Sequence, residues 1–286
     1  MMAKDTFLNR KVTLNTKGEL IDLTTPSVMA ILNLTPDSFY GQSRSNGISD
    51  ALKRTENFLN DGAKFIDIGA YSSRPDAIDI STSEELDRLI PTVDAIVREF
   101  PTAIISIDTF RAKVAEEAIH AGAHIINDIS AGELDANMFN TVSKLQVPYI
   151  MMHMKGTPQT MKQKASYTDL LAEVFNYLHE KVAALRKLNV KDIIIDPGFG
   201  FAKTISHNYQ LLQQLQSLQV FELPILVGFS RKSMITKVLG NKAVDALNGT
   251  TILNTAALLK GAAILRVHDV KAAVECIQLT ERINNP

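Results

Sequence analysis

The stretch Ile193-Ile-Ile-Asp-Pro-Gly-Phe-Gly-Phe201 contains the pattern that decides the fold: an apolar run ends abruptly in a polar residue, and a turn follows. Eight such runs occur along the chain, and a helical pattern follows each one. The runs and the residues that close them are Val28–Leu32 with Asn33, Phe65–Ile68 with Gly69, Ile104–Ile107 with Asp108, Ile125–Ile126 with Asn127 and Asp128, Tyr149–Met152 with His153, Ile193–Ile195 with Asp196, Ile225–Val227 with Gly228, and Ile264–Leu265 with Arg266 and His268. Continuous apolar runs are typical of parallel strands that are covered on both faces. Eight strand-helix units of about 36 residues each predict an α/β fold, a (β/α)₈ TIM barrel.

A small β-hairpin is expected before the barrel. Lys11–Leu14 and Leu20–Leu23 flank Asn15-Thr-Lys-Gly18, whose Lys-Gly pair is typical of a hairpin turn. We expect this hairpin to close the bottom of the barrel. Residues 1–286 are therefore predicted to form a single barrel domain, with residues 1–27 as the N-terminal hairpin and its lead-in.

Composition restricts the possible partners and location. The net charge of −1 provides no global basic field for nucleic acid or a membrane surface, so an anionic ligand must be bound locally. A lone cysteine, Cys276, excludes an internal disulfide and fits a reducing compartment. Met1–Lys11 lacks the apolar region of an export signal, and Lys260 and Arg266 interrupt the apolar stretch Thr251–Val267. These features predict a cytoplasmic protein that binds neither nucleic acid nor membranes.

Polar side chains at neighbouring strand ends indicate a ligand pocket. In such barrels the functional groups lie at the carboxyl ends of the strands, so Asp108, Asn127 and Asp196 are expected to meet at one mouth. A carboxylate such as Asp196 can accept two parallel N–H bonds from the guanidine-like edge of a heterocycle, and Gly200 would let backbone approach a ligand. Each polar residue could instead cap the segment that follows it. Three of them at one mouth favour a polar heterocycle as the ligand.

A second set of residues is cationic. Gly228-Phe-Ser-Arg-Lys-Ser233 follows the seventh strand and Arg266-Val-His268 ends the eighth, which is the usual phosphate-binding corner of such barrels. Arg266 offers a planar fork of donors and His268 an adjacent donor, and Arg231 and Lys232 begin a helix whose N-terminal amides attract anions. The alternative is a set of solvated surface cations. Their position after the last two strands favours a phosphate site.

Two strand-helix connections, Asn33–Ile48 and Gly69–Thr82, are unusually long and are typical of binding loops. With the strand ends, they complete a set of motifs that resembles the dihydropteroate synthase family, the pterin-binding barrels of folate biosynthesis, over essentially the whole chain. The motifs are Asn33-Leu-Thr-Pro-Asp-Ser-Phe39, Ser72-Ser-Arg-Pro75, Ser106-Ile-Asp-Thr109, Asn127-Asp-Ile-Ser130, Met152-His-Met154, Asp196-Pro-Gly-Phe-Gly-Phe201, Phe229-Ser-Arg-Lys-Ser233 and Arg266-Val-His268.

The resemblance implies a homodimeric transferase. It would join 6-hydroxymethyl-7,8-dihydropterin diphosphate to p-aminobenzoate and release pyrophosphate with the help of Mg²⁺, by an SN1-like path. The arylamine itself attacks a CH₂ carbon, so no activated Ser, Cys or Lys nucleophile is required. Sulfonamides, which mimic the arylamine, would compete with it.

The resemblance also implies a role for each site residue. The pterin ring would be bound by Asp108, Asn127, Met152, Asp196 and Lys232. The diphosphate would be bound by Asn33, Arg74, Arg266 and His268, with Asn33 beside the metal. The p-aminobenzoate site would be formed by Phe39, Ser73, Pro75, Phe201 and Ser233. The residues expected to act in catalysis are Asp108, Asp196, Lys232, Arg266 and His268.

Two loop segments depart from the family pattern. Family members commonly have Ser-Asp-Gly-Gly where this chain has Tyr40-Gly-Gln-Ser43. A carboxylate often placed near the metal is therefore missing, and Asp37 would have to take its place. In Tyr71-Ser-Ser-Arg-Pro-Asp76, Asp76 replaces a glycine, which restricts the backbone of the second loop.

Two other functions are considered. A pterin-binding methyltransferase module would share the barrel and the carboxylates, but it would not need Arg74, Arg266 and His268 around a diphosphate. A non-catalytic paralogue would be expected to have lost charged pocket residues, whereas this sequence keeps them. The retained charges favour the synthase.

Overall fold

The protein is described by a computed structural model over residues 12–34, 44–72 and 79–284. Strands β1 (Thr13–Thr16) and β2 (Glu19–Asp22) form the predicted antiparallel hairpin. The remaining strands form a parallel sheet. They are β3 (Ser27–Asn33), β4 (Phe65–Gly69), β5 (Ile104–Asp108), β6 (Ile125–Asp128), β7 (Tyr149–Met152), β8 (Ile193–Asp196), β9 (Leu226–Val227) and β10 (Ile264–Val267).

The parallel sheet rolls into a barrel. Its order is β8-β7-β6-β5-β4-β3-β10-β9, so neighbours along the chain are neighbours in space apart from the step between β3 and β10. A parallel bridge between Ile195 and Ile225 joins the two outer strands, and Ile195 N donates to Pro224 O at 3.0 Å. The predicted TIM barrel is confirmed.

Helices follow the strands in the predicted rhythm. They are α1 (Arg44–Asn60), α2 (Thr82–Glu99), α3 (Ala112–His120), α4 (Met138–Leu145), α5 (Leu170–Lys187), α6 (Ile205–Gln213), α7 (Ser233–Leu239), α8 (Leu247–Leu258) and α9 (Val270–Asn284), with 3₁₀ helices at Leu215–Phe221 and Ala243–Asp245. Among the described residues, none of these helices has the length and hydropathy needed to cross a membrane.

The inner face of the barrel begins with an apolar layer. One hydrophobic cluster joins Leu14, Ile21 and Leu23 of the hairpin region to residues near the start of the strands. Those strand residues are Met29, Phe65, Ile104, Ile125, Ile150, Ile194, Leu226 and Ile264. The hairpin therefore closes the bottom of the barrel, as predicted, while the alternate strand residues face the helices in a separate, larger cluster.

Above this apolar layer the inner face becomes polar. Because residues two apart on a strand point to the same side, Phe65 is followed on the inner face by Asp67, Ile125 by Asn127, and Ile194 by Asp196. Ile264 is followed in the same way by Arg266. The change from apolar to polar side chains at the carboxyl ends of the strands positions the candidate site.

Candidate active site

Three charged side chains meet at the centre of the barrel mouth. Arg266 donates from Nε to Oδ2 of Asp67 at 2.6 Å and from Nη2 to Oδ2 of Asp108 at 2.7 Å. The Asp67 side chain is fully buried. Burial raises the pKa of Asp108 to about 7, against the attraction of Arg266 and with the added repulsion of Asp67. Two carboxylates thus share one guanidinium at the mouth.

Asn127 joins the same group. It lies opposite Asp108 in the β5–β6 register, and its Nδ2 donates to Oδ2 of Asp67 at 3.1 Å. Asp67 was not predicted as a site residue, although it contacts two residues that were. Its signal in the sequence is a charged residue inside the otherwise apolar run Phe65–Ile68.

A second charged pair comprises Asp196 and Lys232. Asp196 Oδ1 accepts a hydrogen bond from Gly198 N at 2.7 Å, and burial raises the pKa of this carboxyl, with Lys232 acting in the opposite direction. Burial lowers the pKa of Lys232 to about 8, while Asp196 favours its charged form. Lys232 Nζ also donates to Phe199 O and lies 4.8 Å from the centre of the Phe201 ring. The structure therefore brings Asp196 and Lys232 of the predicted pterin set together with Phe201 of the predicted p-aminobenzoate set.

Gly200 packs closely against Lys232. A Cβ at this position would lie 3.0 Å from Cδ of Lys232, and the backbone φ is +82°. A Cβ at Gly228 would lie 3.8 Å from Lys232 Nζ. The missing side chain makes room for the lysine, and the approach of a ligand to the Gly200 backbone stays a prediction.

The loop that follows β8 is held by polar side chains, of which His153 is buried and Lys203 and Tyr167 are half-buried. Lys203 Nζ donates to Gly198 O at 3.0 Å and Phe201 O at 3.1 Å, and it lies 2.9 Å from Nδ1 of His153. Burial lowers the pKa of Lys203 to about 7 and that of His153 to about 2, so the imidazole is neutral and accepts from the lysine. Tyr167 Oη adds a bond to the next carbonyl along the loop. Lys203 was not predicted as a site residue from the sequence, because it does not lie at the end of a strand.

An apolar surface adjoins the carboxylates. Met152, in register with Asp196 on β7, belongs to a small hydrophobic cluster against which Phe201 packs. The other members are Ile129, Met154, Met161 and Ala202, with Phe110 and Leu134 at the edge. Carboxylates and an amide beside an apolar surface suit a flat heterocycle with a polar edge.

At the predicted phosphate corner, His268 and Ser230 contact each other. His268 N donates to Ser230 Oγ at 3.2 Å, and that hydroxyl lies 2.9 Å from His268 Nδ1. Burial, with Arg231 and Arg266 nearby, lowers the pKa of His268 to about 4. The ring is therefore neutral, and in the tautomer in which the Ser230 hydroxyl donates to Nδ1, the ring proton would be on Nε2 and available as a donor.

Arg231 and Ser233 lie at the edge of this corner. Arg231 makes a two-point ion pair with Asp269 through Nη2 at 2.6 Å and Nε at 3.2 Å, so it is engaged within the protein. Lys232 lies at the start of the seven-residue α7 as expected, as its N-cap residue, and its side chain extends to the loop after β8. The exposed Ser233 is the first residue of α7.

Asn33 borders the same mouth. It pairs with Gly69 in the β3–β4 register, and its Oδ1 lies 3.7 Å from the position that a Cβ of residue 69 would occupy. Asp108 Oδ2 lies 3.5 Å from that point. Within residues 12–34, 44–72 and 79–284, no group of three or more His, Cys, Asp or Glu side chains could hold a metal ion. The metal site beside Asn33 therefore stays a prediction.

Part of the predicted site lies outside the described residues. This applies to Phe39, Ser73, Arg74 and Pro75, and to the two loop carboxylates Asp37 and Asp76.

Known proteins match this chain over most of its length. A family of pterin binding enzymes matches residues 29–268. The dihydropteroate synthase of Escherichia coli K12 is 42% identical over 271 residues, covering 93% of this chain and 94% of that protein. The Yersinia pestis dihydropteroate synthase, solved with a sulfonamide drug, superimposes with a TM-score of 0.90 at 39% identity, covering 96% of this chain and 100% of that one. The Xanthomonas albilineans enzyme, solved with 4-aminobenzoic acid, gives 0.88 at 33% identity, with 96% and 99% covered. With the barrel and its mouth as described, the chain belongs to the pterin-binding enzyme family and, within it, to the dihydropteroate synthases.

Proposed function

We propose that this protein condenses 6-hydroxymethyl-7,8-dihydropterin diphosphate with p-aminobenzoate to give 7,8-dihydropteroate and pyrophosphate. One observation carries this proposal: the barrel mouth holds two kinds of binding group. Asp196 and Asn127 can accept hydrogen bonds from the edge of a heterocycle, and the Arg266 guanidinium could bind an anion. A methyltransferase module would have no use for the second group.

The reaction breaks the C–O bond between the CH₂ carbon and the diphosphate, whose oxygen keeps the electron pair. The arylamine nitrogen forms the new C–N bond and loses a proton to solvent. In our assignment Asp108, Asn127, Asp196 and Lys232 bind the pterin edge, and Met152 packs on the ring. Arg266 and His268 Nε2 donate to the leaving diphosphate, where negative charge develops in the transition state.

The p-aminobenzoate site is assigned to Phe201 and Ser233, together with Phe39, Ser73 and Pro75 from the two long loops. Phe201 is supported by its place between the Lys232 ammonium and the apolar cluster around Met152. The Yersinia pestis and Xanthomonas albilineans relatives were solved with a sulfonamide and with 4-aminobenzoic acid. We therefore propose that sulfonamides compete with p-aminobenzoate here.

Magnesium is the proposed metal, beside Asn33. Mg²⁺ is commonly held by one or two protein oxygens together with substrate phosphates and water, and the Asn33 amide at the mouth fits such partial coordination. When bound, Mg²⁺ would neutralise charge on the diphosphate oxygens. Arg266, His268 and the loop residue Arg74 are assigned to bind the same diphosphate.

We also propose that the protein is a homodimer and acts in the cytoplasm. An apolar surface on α7, the 3₁₀ helix Ala243–Asp245 and the first half of α8, here called the α7–α8 face, supports the dimer. Its exposed large side chains are Val238, Leu239, Val244, Leu247 and Ile252, each 46% to 71% exposed. Sedimentation velocity tests this. Val244→Asp should shift the protein towards monomer, whereas Leu20→Asp, equally exposed on the hairpin, should not. The buried single cysteine, Cys276, fits a reducing compartment.

Turnover with omitted components tests the reaction. Purified protein should form dihydropteroate and pyrophosphate only when both substrates and Mg²⁺ are present. A folded protein that binds both substrates but gives no product at any Mg²⁺ concentration would favour the non-catalytic paralogue. A protein that binds free pterin but neither pyrophosphate nor the diphosphate substrate would favour the methyltransferase module.

A further inference from the structure

We propose that Asp67 is a positioning residue that orients Asn127 and Arg266 together, and so links the two halves of the donor site. This proposal rests on the proposed function. Asp67 would touch neither substrate, but it would set which atoms of its two partners face them.

The geometry of Asp67 is unusual for a strand residue. It lies on β4, whose neighbours in the sheet are β3 and β5. Its partners are on β6 and β10, each one strand further away, so its side chain spans the interior of the barrel. One oxygen, Oδ2, accepts both bonds, from Arg266 Nε at 2.6 Å and from Asn127 Nδ2 at 3.1 Å.

This contact determines the orientation of the Asn127 amide. An ionised carboxylate only accepts hydrogen bonds, so Asn127 must present its NH₂ group to Asp67. Its Oδ1 is then directed elsewhere and is available to accept from an N–H of the pterin edge. If the amide were flipped, the ligand would face a donor instead of an acceptor.

The same contact restricts Arg266. Asp67 accepts a hydrogen bond from Nε–H, and Asp108 accepts one from an N–H of Nη2. A guanidinium has five N–H donors, so three remain for a diphosphate. Both carboxylates hold the planar group on the same side, which directs the remaining donors away from them.

A purely structural function for Asp67 does not explain why a carboxylate occupies this buried position. Its second oxygen, Oδ1, is buried and has no hydrogen-bond partner among the described residues, and neither has Oγ of Ser106, the residue paired with it in the sheet register. A buried carboxylate with an unpartnered oxygen costs stability. An apolar side chain here would serve packing better, so the carboxylate points to a requirement of the site.

Calorimetry with two probes, a free pterin analogue and inorganic pyrophosphate with Mg²⁺, tests the proposal. Asp67→Ala should weaken both by about tenfold, because both partners lose their orienting acceptor. Asn127→Ala should weaken the pterin and not pyrophosphate, whereas Arg266→Ala should weaken chiefly pyrophosphate. The double variant Asp67→Ala/Asn127→Ala should bind the pterin about as weakly as Asn127→Ala alone, a non-additivity that general destabilisation would not produce. Ser106→Ala, the matched buried control, should bind both probes as the wild type does.

Asp67→Asn keeps the shape and serves if the alanine variant does not fold. Loss of the charge should still weaken pyrophosphate binding by at least about threefold, since the bond to Arg266 is charge-assisted. Unchanged affinity of a folded Asp67 variant for both probes would overturn the positioning assignment, as would additive effects in the double variant. If the wild type itself binds neither probe, the proposed function fails instead.

Discussion

Arg266 Nη2 and Asp108 Oδ2 lie 2.7 Å apart, so a residue assigned to the diphosphate is in direct contact with one assigned to the pterin. The two halves of the donor site are therefore electrostatically coupled at this point. Asp67 shares the same guanidinium, and this leaves the charge of Asp108 only partly compensated.

The raised pKa of Asp108 predicts a pH-dependent stability. A carboxyl whose folded pKa lies above its unfolded value stabilises the protein below the unfolded pKa, and this contribution is lost as the pH rises through the folded pKa, about 7 for Asp108. The free energy of unfolding of the wild type, relative to Asp108→Asn, should therefore fall by up to about 4 kcal/mol between about pH 4 and about pH 8.

Urea denaturation of both proteins across this range measures the effect. Glu56→Gln, at an exposed carboxyl on α1, is the control and should show no such trend. A difference between wild type and Asp108→Asn that stays constant, or rises with pH, would show that the buried carboxyl is fully compensated.

Gly198 should be far less tolerant of a side chain than Gly240, another glycine with positive φ. A Cβ there would lie 2.0 Å from the carbonyl oxygen of His153, and φ is +75°. Gly240 has φ +65° but nothing within 4 Å of its Cβ position. Gly240→Ala should cost about 1 kcal/mol of unfolding free energy, from backbone strain alone. Gly198→Ala should cost on the order of 3–5 kcal/mol, because backbone must also move. Equal losses in urea denaturation would contradict the close packing of β7 against this loop.

The strand ends could be predicted because a polar residue closes six of the eight apolar runs and a glycine closes the other two. Asp196 and Arg266 stand where a buried segment stops, and parallel strands bring such positions to one mouth. Asp67 escaped prediction because it lies inside the run Phe65–Ile68, and only the sheet register shows that it faces the interior. Its partners are 60 and 199 residues away in the chain.

Local contacts that depend on exact backbone geometry also could not be predicted from the sequence. The close approach of Lys232 to Gly200, for example, does not follow from the sequence pattern. Lys203 follows the loop and ends no strand, so the pattern that identified Asp196 could not identify it. Its role depends on contacts with two loop carbonyls and one imidazole, which form only in the folded protein.

Replacement of Lys203 should weaken p-aminobenzoate binding. Lys203 donates to the carbonyls of Gly198 and Phe201, so Lys203→Met frees the loop that presents the Phe201 ring. We expect the KM for p-aminobenzoate to rise by about tenfold or more, the effect of losing a charge-assisted hydrogen bond. Lys162→Met, at an exposed lysine, is the control. Steady-state kinetics that show the same KM for wild type and folded Lys203→Met would exclude this contribution.

The assignment of separate pterin and diphosphate subsites makes opposite predictions for Asp196 and Arg266. Asp196→Asn should weaken binding of a free pterin analogue by about tenfold or more, because it removes charge-assisted bonds to the ring edge. Arg266→Ala should weaken binding of pyrophosphate with Mg²⁺ and lower kcat, because its guanidinium would stabilise charge on the leaving group.

Calorimetric titration of both ligands into both variants is the most direct measurement. The predicted result is a crossed pattern: Asp196→Asn loses the pterin analogue and keeps pyrophosphate, while Arg266→Ala loses pyrophosphate and largely keeps the pterin analogue. Circular dichroism should confirm that both variants are folded. If each folded variant loses the two ligands in equal proportion, the mouth does not divide into the two subsites, and the assignment of these residues is wrong.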